Sequence, residues 1–480
     1  MNEIKNLEPQ VVWKNFHALT QVPRPSGHLE KVQQFLLDWA AAHGIEAFKD
    51  GGENIVMRKP ATPGMENRKK AVMQAHMDMV PQKTAESRHN FETDPIETYI
   101  DGEWVKAKGT TLGSDDGMGV AAIMAVMEDE SLEHGPLEAL ITADEETCMY
   151  GVNHLASDTL TGDILLNFDN ETMGEFVVGS AGGVNVTASI AYKAVEADPA
   201  DVAVKVTVKG LRGGHSGLEI CENRANANKL LFRLLRRWTA AHDLLLCSVD
   251  GGGLRNAIPR EATAMVLVRS KEFEAFRKEV RAFEKLMRAE FAGVEEGISI
   301  KAEACERPAE MISREVQDKL IRAVAACPDG LQRMSPAMPG LVQTSTNLAR
   351  VVSDGRSVQL QCLLRSSVNS EKEALGDAIA AVFELAGAKV ELTGSYDGWN
   401  PDMDSPILKA MTASYEALYG SRPAVMAIHA GLECGVIGGT YPKLDMISFG
   451  PTICYPHSPD ERVEIASVGK FYEFLLHTLK

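Results

Sequence analysis

The sequence lacks three features that would point to common classes of protein. Its eight cysteines include no Cys-x-x-Cys pair, which argues against a thiolate zinc site or a disulfide framework. No stretch approaches the roughly 18 apolar residues of a membrane-spanning helix. Basic residues are also in deficit, with 49 Lys and Arg against 67 Asp and Glu and a net charge of −18. Because such a charge repels phosphates and anionic lipids, we expect neither nucleic acid nor a membrane as a partner.

What is present is typical of a globular protein. The chain has 480 residues, of which 45% are hydrophobic and 24% are charged, enough for two or three domains. Residues 1–14 contain no apolar targeting segment, so we expect a cytoplasmic protein.

In the first third of the chain, short apolar runs at 71–75, 137–142 and 164–168 are typical of buried strands, and 117–128 is typical of a helix. This alternation predicts an α/β domain with a mostly parallel sheet.

The pattern changes after the glycine-rich segment 179–183. Valines 202, 204, 206 and 208 alternate with other residues, as in a strand with one buried face. Amphipathic helical segments at 230–238, 271–291, 313–326 and 371–386 then alternate with strand-like segments at 262–268, 298–304, 357–364 and 389–392. Long helices on an antiparallel sheet would fit that order. We therefore predict a second, α+β domain over residues 184–395.

Four polar clusters follow apolar runs of the first domain: His76-Met77-Asp78, Ser114-Asp115-Asp116-Gly117, Asp144-Glu145-Glu146 and Phe168-Asp169-Asn170. One such cluster alone is more often a solvated turn or a helix cap. Four of them are expected to meet, because ligands bind beyond the carboxyl ends of the strands in an open α/β sheet. Five carboxylates would then converge and cannot all stay ionised without cations: those of Asp78, Asp115, Glu145, Glu146 and Asp169. Imidazole together with carboxylate suits zinc, cobalt or manganese.

These motifs, together with Tyr455-Pro456-His457-Ser458, resemble those of the dinuclear zinc aminopeptidase/carboxypeptidase clan. Within the clan, the sequence is most similar to the aminoacyl-histidine (Xaa-His) dipeptidases, also called cytosolic non-specific dipeptidases. The resemblance extends over nearly the whole chain and includes the segments 213–217, 256–259 and 428–435. It implies a three-layer α/β catalytic domain with an inserted α+β lid domain.

The resemblance also implies roles for individual residues. Asp115 would bridge two zinc ions, with cobalt or manganese as possible substitutes, and the peptide bond between Asp115 and Asp116 would be cis. His76 and Asp169 would complete one coordination sphere, and Glu146 and His457 the other. Asp78 would orient His76, and Glu145 would be the general base. Because His457 is needed at the metals, residues 396–480 would rejoin 1–183 in the catalytic domain, and 184–395 would be an insertion for substrate closure and dimerisation.

Four further residues are weaker candidates for substrate binding. His215 resembles a histidine that stabilises the oxyanion, although an exposed loop histidine remains an alternative. Arg365 is a candidate for the substrate carboxylate or for an ordinary surface ion pair. Asn256 could bind substrate or shape a turn, and Glu433 could receive the substrate ammonium, cap a helix or be exposed. His429 has no assigned partner and is interpreted as structural.

The sequence therefore predicts a metal-dependent hydrolase of dipeptides, with Xaa-His substrates and a homodimeric state implied by the resemblance. Two alternatives remain open. A deacylase of N-acyl amino acids or a tripeptidase could share the fold, and it would differ in its requirement at the amino end of the substrate. A non-catalytic peptide-binding protein could use the same pocket, although binding alone does not require the Glu145 carboxylate.

Overall fold

The computed structural model describes residues 4–196 and 201–480. The α-helices, in chain order, are α1 (Gln10–Thr20), α2 (Glu30–Ala42), α3 (Ser114–Glu128), α4 (Glu145–Cys148), α5 (Tyr150–Asn153), α6 (Ala227–Thr239), α7 (Phe273–Glu290), α8 (Arg314–Ala326), α9 (Asn369–Leu385), α10 (Pro406–Tyr419), α11 (Glu433–Thr440) and α12 (Ile465–Leu479). Within the described residues, no helix has the length and apolar character needed to cross a membrane.

The strands, in the same order, are β1 (Glu46–Lys49), β2 (Ile55–Lys59), β3 (Ala71–His76), β4 (Thr98–Asp101), β5 (Trp104–Ala107), β6 (Leu137–Thr142), β7 (Ile164–Asn167), β8 (Glu175–Ser180), β9 (Gly182–Ala191), β10 (Ala194–Glu196), β11 (Asp201–Lys209), β12 (Leu245–Gly252), β13 (Ala262–Arg269), β14 (Ser299–Ala304), β15 (Glu310–Ile312), β16 (Gly330–Met334), β17 (Val342–Ser353), β18 (Ser357–Ser366), β19 (Lys389–Tyr396), β20 (Ala424–Ile428), β21 (Asp445–Ser448), β22 (Ile453–Cys454) and β23 (Arg462–Glu464).

The chain divides into two compact units. The first comprises residues 1–180, 399–427 and 432–480, and the second comprises 181–398 and 428–431. The short segment 428–431 belongs with the second unit because its backbone and side chains bond there: the Ala181 N–H donates to the Ala430 carbonyl at 2.9 Å, and His429 contacts Ser345. The sequence predicts that all of 396–480 belongs to the catalytic domain, whereas 396–398 and 428–431 lie in the second unit.

The first unit contains an eight-stranded sheet in the order β1-β2-β6-β3-β7-β21-β8-β20. In its centre β3 runs parallel to both β6 and β7, and β21 runs parallel to β7. These strands are buried along nearly their whole length, as expected for apolar runs covered on both faces. Helix α3 packs on β3 and is buried along all but its last residue, which explains its content of small residues. The predicted α/β architecture is confirmed, but the sheet is mixed rather than mostly parallel, because β2 pairs antiparallel with β1 and β6, and β8 pairs antiparallel with β21.

The second unit contains a nine-stranded antiparallel sheet in the order β14-β11-β13-β12-β17-β18-β9-β19, with β16 beside β17. The alternating valines of β11 lie in its hydrophobic core together with the apolar faces of α6, α7, α8 and α9. Trp238 of α6, for example, packs edge-on against Phe276 of α7 with ring centroids 5.0 Å apart. The predicted arrangement of amphipathic helices on an antiparallel sheet is thus observed.

Candidate metal centre

The candidate metal centre lies where three neighbouring parallel strands of the first unit end. His76 is the last residue of β3, and Asp78 follows it two positions later. Glu145 and Glu146 begin α4, just after β6, and Asp169 follows β7. Since parallel strands present their carboxyl ends at one edge of a sheet, these side chains share that edge. The convergence expected from the four polar clusters is present.

Asp115 lies between two imidazole rings. Its Oδ1 is 3.1 Å from His76 Nε2, and its Oδ2 is 3.2 Å from His457 Nε2. His76 Nε2 is also 3.8 Å from Asp169 Oδ1, and His457 Nε2 is 3.0 Å from Glu146 Oε1. The structure therefore brings all five predicted metal ligands together, in the two groups around Asp115 that the resemblance implies.

Burial and crowding perturb the pKa values of these side chains. Hydrogen bonds with Asp115 and Glu146 raise the pKa of His457 to about 10. Burial raises the pKa of Asp169 and of Glu145 well above the ordinary carboxyl range. Burial acts in the same direction on Asp115, but hydrogen bonds from His457 and His76 hold its pKa well below the usual value. The excess of negative charge is therefore balanced by protons in the absence of cations.

The residues present fit a divalent cation. One ligand atom from each of His76, Asp115 and Glu146 lies within 4.8 Å of the other two. Glu146 Oε1 is buried, and its polar neighbour among the described side chains is His457 Nε2, at 3.0 Å. Imidazole nitrogens and carboxylate oxygens are ligands that zinc prefers, and no cysteine is among them. The two oxygens of Asp115 face different imidazoles, as a bridging carboxylate would.

The Asp78 carboxylate contacts two segments that carry candidate metal ligands, namely the end of β3 with His76 and the start of α4 with Glu146. Its carboxylate accepts hydrogen bonds from Ser26 Oγ at 2.8 Å and from the backbone N–H groups of Glu145 and Glu146 at 3.0 and 3.2 Å. Its Oδ1 also lies 3.4 Å from His76 Nδ1. An acid at this position both orients the imidazole and holds the start of α4. The geometry is that expected of the supporting residue described in the sequence analysis.

Two further residues support the loop that carries Asp115, and the sequence analysis missed both. The Glu461 carboxylate accepts hydrogen bonds from the backbone N–H groups of residues 112–115 and from the Ser114 hydroxyl. The buried Arg24 guanidinium donates to the carbonyls of Met77, Asp78 and Gly113. No residue-type motif marks them, because their partners are backbone groups distant in sequence. The peptide bond between Asp115 and Asp116 is cis, as the resemblance implies.

Glu433 lies in the first turn of α11 and is fully buried, so the alternative of an exposed side chain is wrong. Its Oε2 accepts hydrogen bonds from Gln74 Nε2 at 2.6 Å and from Thr142 Oγ1 at 2.7 Å. Burial raises its pKa to about 7. Because Gln74 belongs to β3 and Thr142 ends β6, Glu433 lies beneath the strand ends that carry the candidate ligands.

The other substrate-binding candidates belong to the second unit. His215 Nδ1 accepts hydrogen bonds from the N–H groups of Gly217 and Leu218 at 3.3 and 3.1 Å, so the neutral ring carries its proton on Nε2. Arg365 is buried and has no ion pair among the described residues, so the alternative of a surface ion pair is wrong. Asn256 is exposed, and its carbonyl accepts a hydrogen bond from the Ser216 N–H at 2.8 Å.

Comparison with known proteins agrees with the motifs. The model of Peptidase family M20/M25/M40 matches residues 72–480. The chain is 43% identical to the cytosol non-specific dipeptidase of Escherichia coli (strain K12) over 481 aligned residues, which cover 100% of this chain and 99% of that protein. The crystal structure of aminoacylhistidine dipeptidase from Vibrio alginolyticus matches with a TM-score of 0.93 and 42% identity, covering 100% of this chain and 98% of that one.

A more distant structure, of a tripeptidase from Staphylococcus aureus, matches with a TM-score of 0.57 and 16% identity. It covers 99% of this chain and 98% of that one, and at this identity it shows a shared fold alone. The resemblance inferred from the motifs is confirmed by the two closer matches.

Proposed function

The chain belongs to peptidase family M20/M25/M40, and on this premise we propose that it is a cytoplasmic dipeptidase that uses two zinc ions and accepts Xaa-His dipeptides. Two findings support this proposal. The chain is similar over its full length to proteins named as dipeptidases. In addition, the Asp115 carboxylate faces an imidazole on each side, and Glu145 adjoins the candidate ligand Glu146 at the start of α4. The Asp115 geometry is the observation that carries the proposal.

His76 and Asp169 would hold one cation, Glu146 and His457 the other, and Asp115 both. Cobalt or manganese could replace zinc with the same ligands. When bound, such ions lower the pKa of water and polarise the peptide carbonyl. The protein fixes the ligands beforehand, because Asp78 and Glu461 hold the backbone segments from which Glu146 and Asp115 project.

Glu145 is the proposed general base. Its carboxylate takes a proton from the water that attacks the peptide carbonyl and returns that proton to the leaving amine. The Glu145 N–H is tied to Asp78 Oδ1 at 3.0 Å, which fixes the backbone at this position. Burial raises the pKa of Glu145 above the ordinary carboxyl range.

The second unit is proposed to serve as a lid and to contribute to a homodimer. His215 would donate its Nε2–H to the oxyanion, Arg365 would bind the substrate carboxylate, and Asn256 would contact the substrate. Glu433 would receive the substrate ammonium. The buried guanidinium of Arg365, without a carboxylate partner among the described residues, supports an anionic ligand.

A substrate panel with metal-depleted and metal-restored protein tests the proposal. β-Alanyl-histidine and other dipeptides should be hydrolysed only after zinc, cobalt or manganese is restored, whereas N-acetylated dipeptides and tripeptides should be poor substrates. Preference for the acetylated compounds would indicate a deacylase, and preference for tripeptides a tripeptidase. Binding of dipeptides without hydrolysis by the metal-restored protein would indicate the non-catalytic alternative.

Glu145→Gln tests the general base separately. We expect this variant to keep its metal content and to lose about 10²- to 10⁴-fold in kcat, because the carboxylate that accepts the proton is replaced by an amide. Glu103→Gln, at an exposed carboxylate of the same unit, is the matched control and should leave turnover unchanged. Near-normal turnover of Glu145→Gln would contradict the role proposed for this residue.

A further inference from the structure

The second unit contains a group of polar side chains formed by the buried Ser345, Arg365 and His429 and the half-buried His215, which we call the Arg365 cluster. Strands β17 and β18 place Ser345 directly opposite Arg365. A Cβ atom added to Gly217 would lie 3.0 Å from His215 Cε1 and 3.1 Å from Arg365 Nε, and it would also collide with the His429 carbonyl oxygen. His215, Arg365 and His429 therefore all border the small space that Gly217 leaves open.

Arg365 is a buried cation without an anion. The residue is 6% exposed, and its Nη1 donates to the Tyr396 hydroxyl at 3.3 Å. Its Nε is buried and has no hydrogen-bond partner, and none of the described carboxylates lies within ion-pair distance of the guanidinium. Because an uncompensated buried charge is costly, the cluster is incomplete without an anionic ligand.

His429 presents a second unsatisfied nitrogen in the same cluster. The residue is 6% exposed, its Nε2 lies 2.7 Å from Ser345 Oγ, and its Nδ1 is buried without a hydrogen-bond partner. Burial, reinforced by the charge of Arg365, lowers the pKa of His429 to about 3, so the ring is neutral. The Val342 backbone, which faces the ring, acts against this lowering of the pKa. When the Ser345 hydroxyl donates to Nε2, Nδ1 carries the proton and is the donor of the ring.

We propose that His429 is a specificity-determining residue that binds the free C-terminal carboxylate of the substrate: its Nδ1–H and the Arg365 Nε–H donate to the same carboxylate. This inference rests on the proposed dipeptidase function and extends it to a residue that the sequence analysis interpreted as structural. A neutral imidazole adds a directional hydrogen bond to the charge that Arg365 supplies. The pair therefore distinguishes a carboxylate from an uncharged C-terminal amide.

The test compares β-alanyl-histidine with its C-terminal amide as substrates. It uses two variants of His429, each of which keeps a polar group at the position of only one of the two ring nitrogens. The amide group of Asn reaches the position of Nδ1, whereas that of Gln reaches the position of Nε2. His429→Gln should lower the ratio of kcat/KM for the acid to kcat/KM for the amide by about 10- to 100-fold, mainly through KM of the acid. His429→Asn should keep this ratio within about three-fold of wild type.

His242→Gln, at an exposed histidine of the same unit, is the control and should leave both substrates unaffected. Ser345→Ala leaves His429 in place but frees Nε2, so a several-fold fall in the acid-to-amide ratio is expected even if the His429 variants fold poorly. An equal loss for acid and amide in His429→Gln and in Ser345→Ala would show a merely structural role and overturn the inference. Failure of the wild-type protein to hydrolyse either compound would instead refute the proposed function.

Discussion

Substitution of Glu461 tests directly whether the fold holds the candidate ligand Asp115 in place. The residue is 2% exposed and accepts five hydrogen bonds from the loop that leads into α3. Its Oε2 accepts the N–H groups of Leu112 and Gly113 at 2.8 and 3.0 Å. Its Oε1 accepts the N–H and hydroxyl of Ser114 at 2.7 and 2.6 Å and the N–H of Asp115 at 3.3 Å.

Replacing Glu461 by Gln removes only one acceptor oxygen but should be costly. In either orientation the new NH₂ group faces at least two donors of the loop, and these lose their acceptor. Each buried donor left unsatisfied costs about 1–3 kcal/mol, and relaxation of the loop recovers part of this free energy. We expect a loss of about 2–4 kcal/mol in the free energy of unfolding, which is large for a single conservative substitution.

The assay is thermal unfolding of the metal-loaded and metal-free protein, combined with a titration of zinc. For a unit of this size, the expected loss corresponds to a fall of roughly 5–15 °C in the midpoint of unfolding. Zinc affinity should fall by about 10- to 100-fold, because the loop that positions Asp115 loses its anchor. Asp460→Asn removes an exposed carboxylate next to Glu461 and is the matched control. A midpoint within about 2 °C of wild type and an unchanged zinc affinity would refute this reasoning.

Two further predictions concern the other supports of the site. Asp78→Asn removes an acceptor of the Glu145 and Glu146 N–H groups. Zinc affinity, measured by chelator competition, should therefore fall by about 10- to 100-fold. An affinity equal to that of the wild type would contradict the proposal that Asp78 holds the segment carrying Glu146. In the metal-free protein, the pKa of His457 is raised to about 10 from 6.5, so its stabilising effect is complete below pH 6.5 and is lost as the pH rises towards 10. Melting curves should therefore show the metal-free protein losing stability over this range relative to metal-free His457→Ala; parallel curves would contradict this prediction.

Much of the fold could be predicted because its elements have simple periodicities. The apolar runs of β3, β6 and β7 and the alternating valines of β11 mark strands directly, and the structure contains them. The start of α3 could not be predicted in this way. Helical structure was expected from residue 117, but α3 begins at Ser114 and includes non-helical dihedral angles at Asp115 and Asp116. Periodicity carries no signal for a kink that is held by contacts with a distant residue.

The candidate ligands were accessible from sequence for a different reason. Histidine and carboxylate residues at strand ends have metal-binding chemistry, which indicates a metal site, whereas the place of His457 among the ligands was implied by the resemblance. For Arg365 two alternatives stayed open and His429 was interpreted as structural, since an arginine or a histidine alone is compatible with many surroundings. Only the structure reveals that the guanidinium is buried and that both residues have an unpartnered nitrogen.

The supporting residues show why the rest of the site could not be predicted. Asp78 and Glu461 hold ligand segments through backbone N–H groups, and Arg24 holds the neighbouring loops through backbone carbonyls. Backbone groups are the same at nearly every position, so such a contact leaves no complementary residue type in the sequence. Glu461 and Asp115 are, moreover, separated by 346 positions. Substitutions at these supports should therefore change metal affinity without changing any ligand, which is how a positioning role differs from ligation.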